Sequence, residues 1–404
     1  MGEVPLARLE LKAGEVDVGS LLGELGLAEG IDGRADALQF SLQGSGATLR
    51  DFVAHADIQA HLPGGNIHVG GALQHAAVEI RVHEATVGAA PLAGCITGRL
   101  PVRPLDFRAS AELVGYADPD AALTAYGILG GVPLYLTFFR PERSLRDNIV
   151  NAIVSPSSRL YVEPQAVFAA HHQVYEARGA LAVLRAIAHG RHRWSDIAEA
   201  AGVSTSTLTR VMEPLIGDLG LVERVLPVTE THPTRAYYTQ YHLTDNFFRF
   251  WFRFIEANQG HIEFGDVERI ADLVMARLPD YMGLPFEAMC RDWVRLASVA
   301  GVLPERVGRV GTWWNPDHQL DIVGLDEQGR APILGEAKWH TQPFTYQELE
   351  RYLGHVRALG TLPRPDTYHL LFSRSGFSDD VQRWSAMNNV RLLTPASMLA
   401  SFDA

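Results

Sequence analysis

The spacing of hydrophobic and polar residues changes along the chain, and each spacing predicts a different kind of element. In the first 95 residues, apolar and polar positions alternate over short stretches such as 35–46, which is typical of half-buried strands. Residues 57–71 carry the same alternation around Pro-Gly-Gly and predict a hairpin. The stretches between these strands predict two short helices, at 19–27 and 47–56. The start of the chain is therefore predicted to be a β-rich segment, residues 1–95.

From about residue 98 the apolar positions take the spacing of helices. Residues 98–165 predict a helical segment, and residues 170–245 predict a winged helix. The predicted helices of the winged helix cover 175–188, 197–201 and a stretch that runs toward Leu219, and its predicted wing strands cover 221–228 and 236–243.

Polar residues mark the predicted helix starts in the winged helix. Ser195 and Asp196 predict the start of the second helix, and Ser204 or Thr205 predicts the N-cap of the third. The third helix of such a fold enters the major groove with its N-terminal residues near the base edges. The candidate DNA-binding residues are therefore Ser204, Thr205, Ser206, Thr207 and Arg210. Because this helix offers one arginine and an opposing Glu213, protein packing stays open as the alternative.

Residues 246–255 are mainly aromatic, with Arg249 and Arg253 four positions apart. Aromatic and arginine side chains together can stack on nucleic-acid bases. A stripe of this size is more often part of a core, since a monomer seldom exposes so much apolar surface. We therefore expect this stretch to pack one domain against the next.

The last part of the chain, residues 246–404, combines both spacings and predicts an α/β domain. Two strands, 320–325 and 332–339, flank a polar turn that contains Gly329. A helix over 282–300 precedes them. A later helix and two later strands are predicted at 346–359, 368–372 and 390–393. The whole chain is thus predicted to be a mixed multidomain α/β protein.

The two predicted strands carry the clearest candidate chemistry. Side chains alternate faces along a strand, so Glu336 and Lys338 share one face, and Asp321 starts the partner strand. Two carboxylates can hold Mg²⁺ or Mn²⁺, because these ions prefer oxygen ligands, and an ammonium beside them can stabilise charge that develops on phosphate. The pattern predicts metal-dependent phosphodiester hydrolysis. A hairpin whose charged residues merely face solvent is the alternative.

The composition of the chain makes Lys338 unusual, because lysine is rare in it. The chain holds 35 lysines and arginines, of which only Lys12 and Lys338 are lysines. A net charge of −12 means that any contact with nucleic acid must be local. The two cysteines, Cys95 and Cys290, have no metal-binding spacing, and a reducing cytoplasm is the expected location. Neither a signal peptide nor a membrane span is expected from the apolar runs.

Asp321 followed by Glu336-Ala337-Lys338 resembles the PD-(D/E)xK nuclease superfamily. From about residue 98 to residue 404, the chain also resembles the tail of the archaeal-type ATPases. The phrases that carry this resemblance are GRLPVRPLDF (98–107), GGVPLYL (130–136), SDIAEAAGVS (195–204), LTDNFFRFWFRF (243–254) and GEAKWH (335–340). The resemblance implies a helical AAA-like lid segment, a winged helix and a C-terminal nuclease-like domain of poorly defined function.

The resemblance also implies an ATPase core, which this sequence lacks. No G-x-x-x-x-G-K-[ST] loop is present, and Lys12 follows no glycine loop. An ATP site is therefore not recognisable, and ATP hydrolysis is not expected despite the family's ATP-binding label. The first 90 residues loosely resemble AsmA-like β-rich lipid-transport proteins, and this resemblance implies no function.

In nuclease-like folds of this kind, a helix before the strands often brings an acid toward the metal, and Glu287 is the candidate here. A favourable charge near the start of its helix is the alternative role. These observations lead to the expectation of a DNA-associated protein that hydrolyses phosphodiester bonds. The alternative is a non-enzymatic module that binds DNA or a protein partner, as a truncated member of the ATPase family without its own P-loop.

Overall fold

The computed structural model describes strand segments between residues 6 and 100, and residues 104–402 except 171–178, 218 and 231–237. The chain divides into two units. The first unit comprises Met1–Gly115 with Gly131–Arg140, and the second comprises Tyr116–Gly130 with Pro141–Ala404. Helices and strands both contribute substantially, which confirms the predicted mixed α/β fold class.

Ten short strands lie in the N-terminal part of the first unit: β1 (Leu6–Ala13), β2 (Val16–Asp17), β3 (Arg34–Ala35), β4 (Leu38–Ser45), β5 (Asp57–Leu62), β6 (Gly65–Val69), β7 (Val78–Val82), β8 (Thr86–Val87), β9 (Ala90–Pro91) and β10 (Ile96–Leu100). Six of them form an antiparallel sheet in the order β1-β4-β5-β6-β7-β10. β4 confirms the strand predicted within 35–46, and the pairing of Leu62 with Gly65 confirms the predicted hairpin. The helices predicted at 19–27 and 47–56 lie outside the described residues, as does Cys95.

Short helices follow: α1 (Phe107–Val114), α2 (Pro119–Leu129), α3 (Pro133–Thr137), α4 (Leu145–Ile149), which continues as a π-helix over Val150–Val154, and α5 (Arg159–Ala170). These helices cover most of the described part of the segment predicted to be helical, residues 98–165. The prediction was wrong for residues 98–100, because they pair with β7 as the end of β10. α1 starts where the Asp106 side chain accepts hydrogen bonds from two backbone amides and ends at Gly115, whose φ is 75°. A carboxylate at the N-cap and a left-handed glycine at the end are the usual helix limits.

Three helices and two antiparallel strands form the winged helix within the second unit: α6 (Ala180–Ala188), α7 (Trp194–Ala201), α8 (Thr205–Ile216), β11 (Val222–Val225) and β12 (Gln240–Leu243). The Ser204 side chain caps α8 by accepting a hydrogen bond from Thr207 N, which decides between the two predicted caps. The predicted cap of α7 was wrong. This helix begins at Trp194 with no side-chain cap, and Ser195 donates to Asp196 instead. The Trp194 ring packs 5.3 Å from the Tyr241 ring, a contact between distant residues that favours the earlier start.

The aromatic stretch forms α9 (Asn246–Phe250), a π-helix (Trp251–Ile255) and a 3₁₀ turn (Glu256–Asn258), and two further helices follow, α10 (Gln259–Glu263) and α11 (Val267–Tyr281). Its aromatic side chains are buried, so the core interpretation is confirmed. The Trp251 indole donates a 3.0 Å hydrogen bond to the carbonyl of Tyr161. Arg249 donates to Asn246 and to the Leu243 carbonyl, which binds this stretch to the end of β12.

A five-stranded mixed sheet forms the C-terminal part of the second unit: β13 (Arg309–Trp314), β14 (Gln319–Leu325), β15 (Ala331–Lys338), β16 (Pro363–Ser373) and β17 (Val390–Leu393), in that order. The first three strands are antiparallel, and β15, β16 and β17 run parallel. The helices around the sheet are α12 (Gly283–Val299), α13 (Tyr346–Ala358), α14 (Asp379–Ala386) and α15 (Pro395–Ala400). The predicted strands and helices of this part are confirmed within a few residues.

The segment after β11 is attached to the edge of this sheet. Val228 N donates a 2.9 Å hydrogen bond to the carbonyl of Thr312 on β13. A Cβ added to Gly311 would lie 3.0 Å from the Cβ of Val228, so the glycine allows a close approach. Because an edge strand presents unpaired backbone groups, this bond both covers part of the edge and fixes the wing beside β13.

Candidate active site

The pairing of β14 with β15 brings the predicted acids together. Ile322 pairs with Gly335 in the antiparallel register, and Asp321 and Glu336 are the next residues along the two strands. A Cβ on Gly335 would meet the Leu370 carbonyl oxygen at 2.7 Å, so only glycine permits β15 to lie this close to β16. The glycine before Glu336 therefore helps to set the position of the acid.

Asp321 is almost fully buried, and both its carboxylate and its backbone carbonyl accept hydrogen bonds. Its Oδ2 atom accepts a 3.1 Å hydrogen bond from Ala337 N on β15. Its own carbonyl accepts a 3.1 Å hydrogen bond from the Arg291 guanidinium on α12. The other carboxylate oxygen, Oδ1, has a long contact of 3.5 Å with the Gln319 amide. One oxygen is thus well satisfied, and the other is only weakly bound.

Lys338 lies between the two acids. Its Nζ atom is 2.6 Å from Glu336 Oε1 and 3.9 Å from Asp321 Oδ2. Burial lowers the pKa of Lys338, but the charges of Glu336 and Asp321 outweigh burial and raise the pKa above its ordinary value. The ammonium therefore stays charged near neutral pH and balances part of the negative charge of the pair.

Glu336 is buried, and one of its oxygens has nothing to bind. Oε1 accepts the hydrogen bond from Lys338, but Oε2 has no hydrogen-bond partner among the described residues. Burial raises the pKa of Glu336, and the charge of Asp321 raises it further against the opposing effect of Lys338. A buried unsatisfied carboxylate oxygen is costly, and in this position it leaves an oxygen open to a proton or a cation.

Glu287 projects from α12 toward the same group of charges. Its Oε2 atom is 3.9 Å from the Arg291 guanidinium, and its side chain is 20% exposed. Burial raises the pKa of Glu287, and the charges of Asp321 and Glu336 add to the increase. The structure thus brings Asp321, Glu336 and Lys338 into direct contact distance and places Glu287 within electrostatic reach of them.

Two pairs of side chains near this site had not been predicted. His318 Nδ1, in the turn before β14, lies 3.0 Å from His355 Nδ1 on α13. The Tyr352 hydroxyl lies 2.7 Å from His369 Nδ1, and both residues belong to elements packed around the sheet. Within the sequence only the helical spacing of Tyr352 and His355, three positions apart, indicates that they share a face of α13. His340, which follows the motif, lies 3.6 Å from Glu348.

The number of acids limits the kind of metal that the site could hold. Within the described part of the chain, no three His, Cys, Asp or Glu side chains lie close enough to hold a metal ion together. Two carboxylates with one open oxygen nevertheless fit Mg²⁺, which keeps several waters and uses one or two carboxylates together with substrate phosphates. The donor set is all oxygen, which also suits Mn²⁺.

The predicted DNA-binding residues lie at the N-cap and in the first turns of α8, a helix that contributes no residue to this group of charges. Ser204 and Thr207 hydrogen bond to one another, so their hydroxyls take part in the helix cap. Thr205 and Arg210 are exposed, and the Arg210 guanidinium pairs with no acidic group among the residues that the structure describes. Glu213 is exposed on the same helix.

Comparison with known proteins finds two similarities, both to proteins of unknown function. Residues 251–351 match the family model DUF234, described as archaeal and bacterial proteins of unknown function. The match includes α12, Asp321, Glu336 and Lys338. Over 252 residues, 62% of this chain, the sequence is 28% identical to the uncharacterized protein MJECL04 of Methanocaldococcus jannaschii. The alignment covers 55% of that relative's own length.

Among the described residues, no helix has both the length and the apolar character that a membrane span requires.

Proposed function

We propose that the C-terminal sheet carries a metal-dependent phosphodiesterase site that acts on nucleic acid. The observation that carries the proposal is the open, buried oxygen of Glu336 beside Asp321 and Lys338. Two acids and an ammonium on two neighbouring inner strands of the sheet form a group suited to phosphodiester hydrolysis. The resemblance of this motif to the PD-(D/E)xK nucleases supports the same chemistry.

Asp321 and Glu336 would hold Mg²⁺ or Mn²⁺. A bound ion of this kind activates water and offsets charge on phosphate. Two features of the fold favour such an ion. The amide of Ala337 holds the Asp321 carboxylate in place, and Glu336 Oε2 has no hydrogen-bond partner among the described residues. Both positions depend on strand pairing, so the two acids are set by the fold rather than by a mobile loop.

Lys338 would act at the phosphate. Its Nζ atom binds Glu336, and the Lys338 side chain is 23% exposed. The ammonium can therefore contact both the acid and a phosphate that arrives from solvent. A fixed ammonium at this position stabilises negative charge that develops on a non-bridging oxygen. No other described lysine lies in this part of the chain, and an arginine would not present the same compact charge.

Glu287 would assist by holding a proton. Its raised pKa means that the carboxyl gains a proton more readily than an ordinary glutamate. A group with a pKa near the working pH transfers protons most effectively. In this role the protonated carboxyl would give its proton to the leaving oxygen, and the carboxylate left behind would lie 3.9 Å from the Arg291 guanidinium.

DNA is the proposed partner, with the winged helix as the module that brings it to the site. Thr205 and Arg210 are exposed near the start of α8, where such helices contact bases and phosphates. The attachment of Val228 to β13 holds the wing against the sheet, so any contact with DNA would rely on α8 rather than on a free wing.

The test is metal-dependent hydrolysis by the purified chain. DNA and RNA substrates should be cleaved with Mg²⁺ or Mn²⁺, and Lys338→Ala should abolish cleavage while the variant keeps its far-ultraviolet circular dichroism. Cleavage that Lys338→Ala leaves unchanged would refute the proposed roles. A catalytic defect in an unfolded variant would be uninformative, so the spectrum is measured on each sample.

A second candidate is a non-enzymatic module that binds DNA or a protein partner. The observation in its favour is that Lys338 lies 2.6 Å from Glu336 Oε1, so one of the two acids already has a cationic partner without an added metal ion. In that case neither metal would stabilise the chain, and no cleavage would occur, although α8 would still bind its partner. Binding without cleavage at any metal concentration would favour this candidate.

A further inference from the structure

A crevice opens between the winged helix and the first hairpin of the C-terminal sheet, within the second unit. It has a volume of about 260 Å³ when the space open to solvent is included. The residues around it come from the start of α7, the approach to β12 and the end of β13: Arg193, Tyr238, Thr239, Gln240, Trp314, Asn315 and Pro316. None of these residues belongs to the acid and lysine group, which consists of Asp321, Glu336 and Lys338.

The winged-helix wall of the crevice is held by several contacts. Tyr241 N donates a 2.9 Å hydrogen bond to the carbonyl of His192, and the His192 ring nitrogen Nδ1 lies 3.0 Å from the carbonyl of Tyr241. The rings of His192 and His242 stack with centroids 4.1 Å apart. Because Arg193 follows His192 directly, these contacts fix its backbone beside residues 238–240.

The opposite wall is a tight turn. Asn315 N donates a 2.9 Å hydrogen bond to the His318 carbonyl, and Asn315 Oδ1 accepts hydrogen bonds from the amides of Asp317 and His318. The bond between Val228 and Thr312 holds this wall to the winged helix. The crevice is therefore largely formed before any ligand binds, which reduces the ordering cost of binding.

Two polar groups at the crevice lack a partner. The Arg193 guanidinium forms no ion pair or hydrogen bond with another described residue, and Arg193 is exposed. Thr239 is 4% exposed, and its hydroxyl has no hydrogen-bond partner among the described residues. An unpaired guanidinium can donate two parallel hydrogen bonds to phosphate oxygens.

The turn that forms one wall also leads to the acids. Asn315 and Asp321 are six residues apart, so their Cα atoms lie at most about 22 Å from one another. His318 in this turn contacts His355, and Gln319 contacts Asp321. A single strand of a few nucleotides can cover such a distance, so one ligand could contact both places.

We propose that this crevice binds a backbone phosphate of a nucleic-acid strand whose neighbouring segment lies at the acid and lysine group. The inference rests on the proposed function, because that function makes the ligand a nucleic acid. Arg193 supplies the charge-assisted hydrogen bonds, and the fixed turn at Asn315 aligns the strand with Asp321. One opposing charge is present, since Asp317 is exposed in the same turn.

The test is binding of a short, fluorescein-labelled single-stranded DNA to the full chain, measured by anisotropy in EDTA so that cleavage does not interfere. Arg193→Ala should weaken binding about five- to tenfold, the loss expected for one charge-assisted phosphate contact. Arg193→Lys should recover part of the affinity because lysine binds phosphate as a point charge. Asp317→Asn should strengthen binding about twofold, since it removes a repelling charge.

Arg191→Ala is the matched control, because Arg191 is an exposed arginine two residues away that does not line the crevice. Its loss should be less than about twofold, as expected when only general charge changes. Equal losses for Arg191→Ala and Arg193→Ala, no loss for Arg193→Ala, or no binding by the parent chain would each overturn the inference.

Cleavage assays separate this inference from the proposed function. If Arg193→Ala weakens binding but the parent cleaves nothing with Mg²⁺ or Mn²⁺, the crevice assignment stands and the hydrolysis proposal fails. If the parent cleaves and Arg193→Ala binds and cleaves like the parent, the hydrolysis proposal stands and the crevice assignment fails.

Discussion

The Asp321 carboxylate on β14 accepts a 3.1 Å hydrogen bond from the backbone amide of Ala337 on β15. Ala337 stands between Glu336 and Lys338, so this one bond places the Asp321 carboxylate beside both charged side chains. A shift of one residue in the register would move Glu336 and Lys338 to the other face of the sheet. The chemistry of the site therefore depends on the same pairing that stabilises the sheet.

Asp321→Asn should remove metal-dependent stabilisation without unfolding the chain. The asparagine side chain keeps an oxygen that can accept the hydrogen bond from Ala337, but it loses the charge that attracts a cation. A ligand that binds only the folded state raises the melting temperature, by roughly 2.7 kcal/mol of stability at one hundred times its dissociation constant. Differential scanning calorimetry with and without Mg²⁺ or Mn²⁺ measures this increase.

Asp380→Asn is a suitable control for that experiment, because Asp380 is an exposed acid in α14 that pairs with Arg383. Mg²⁺ or Mn²⁺ should raise the melting temperature of Asp380→Asn as much as that of the parent chain. An increase in melting temperature that persists in Asp321→Asn would mean that the ion binds elsewhere.

Lys338→Met should destabilise the chain at neutral pH and much less at pH 5. Removing the ammonium leaves Asp321 and Glu336 buried without their cation, and an uncompensated buried charge costs about 3–5 kcal/mol. At pH 5, Glu336 takes up a proton more readily because its pKa is raised, so the cost falls. Urea unfolding at the two pH values measures the difference.

Arg383→Met supplies the comparison, since its ion pair with Asp380 is exposed and such pairs contribute less than about 1 kcal/mol. Similar, pH-independent losses in the two variants would show that Lys338 is an ordinary surface lysine.

The hairpin that carries the site could be predicted because its information is local. Alternation of side chains, a polar turn with Gly329 and the spacing of Glu336 and Lys338 are all visible in one stretch. The structure confirmed both strands and the helix before them. Alternation correctly placed Glu336 and Lys338 on one face, but the sequence did not predict the hydrogen bond between Asp321 and Ala337.

Contacts between distant residues account for what the sequence did not predict. His318 and His355 are 37 positions apart, and Val228 and Thr312 are 84 positions apart, so no local pattern links either pair. The same reason explains the wrong cap for α7: Trp194 packs against Tyr241 and extends the helix past Ser195. Local capping preferences amount to only about 1 kcal/mol and yield to such packing.

Glu287→Gln should stabilise the chain at pH 8. The pKa of Glu287 is raised in the folded chain, so the unfolded chain loses its proton first as the pH rises. Stability is therefore lost progressively between the ordinary glutamate pKa and the raised one. The neutral glutamine avoids this loss, and the melting temperature at pH 8 should rise by at least about 2 °C.

The same comparison at pH 4 should show almost no difference, because Glu287 is then largely protonated in both states. Equal melting temperatures of parent and variant at pH 8 would show that the carboxyl is not under electrostatic strain.

Two glycine substitutions should have opposite effects on stability. Gly335→Ala places a Cβ 2.7 Å from the Leu370 carbonyl oxygen, and the backbone of β16 must move to accept it, at a cost of more than about 2 kcal/mol. Gly354 lies inside α13 with only the end of Arg357 nearby, at 3.8 Å. Gly354→Ala should therefore stabilise the chain by roughly 0.5–1 kcal/mol, the gain in helix propensity.

Urea unfolding of the two variants and the parent chain measures both changes. The free energy of unfolding should fall for Gly335→Ala and rise for Gly354→Ala. A tolerated Gly335→Ala would mean that β15 and β16 are further apart than the structure shows, and the placement of Glu336 would have to be revised.

His242→Phe should make the chain less sensitive to acid. Burial is the main reason that the pKa of His242 falls to about 2, and the neighbouring charges of His192 and Arg249 lower it further. Only the unfolded chain binds this proton readily, so the stability present above the ordinary histidine pKa is lost as the pH falls below it. Between pH 6.5 and pH 5, His242 should account for roughly 1–2 kcal/mol of lost stability.

The phenylalanine ring preserves the stack on His192 but has no proton to bind. Glu223 pairs with His242 across β11 and β12, and burial raises its pKa, so its protonation offsets part of the loss in both proteins. Urea unfolding at pH 7 and pH 5 should therefore give a smaller difference for His242→Phe than for the parent chain. His189→Gln, a change at an exposed histidine, should behave like the parent. An equal loss of stability in His242→Phe and the parent would show that the proton is taken up elsewhere.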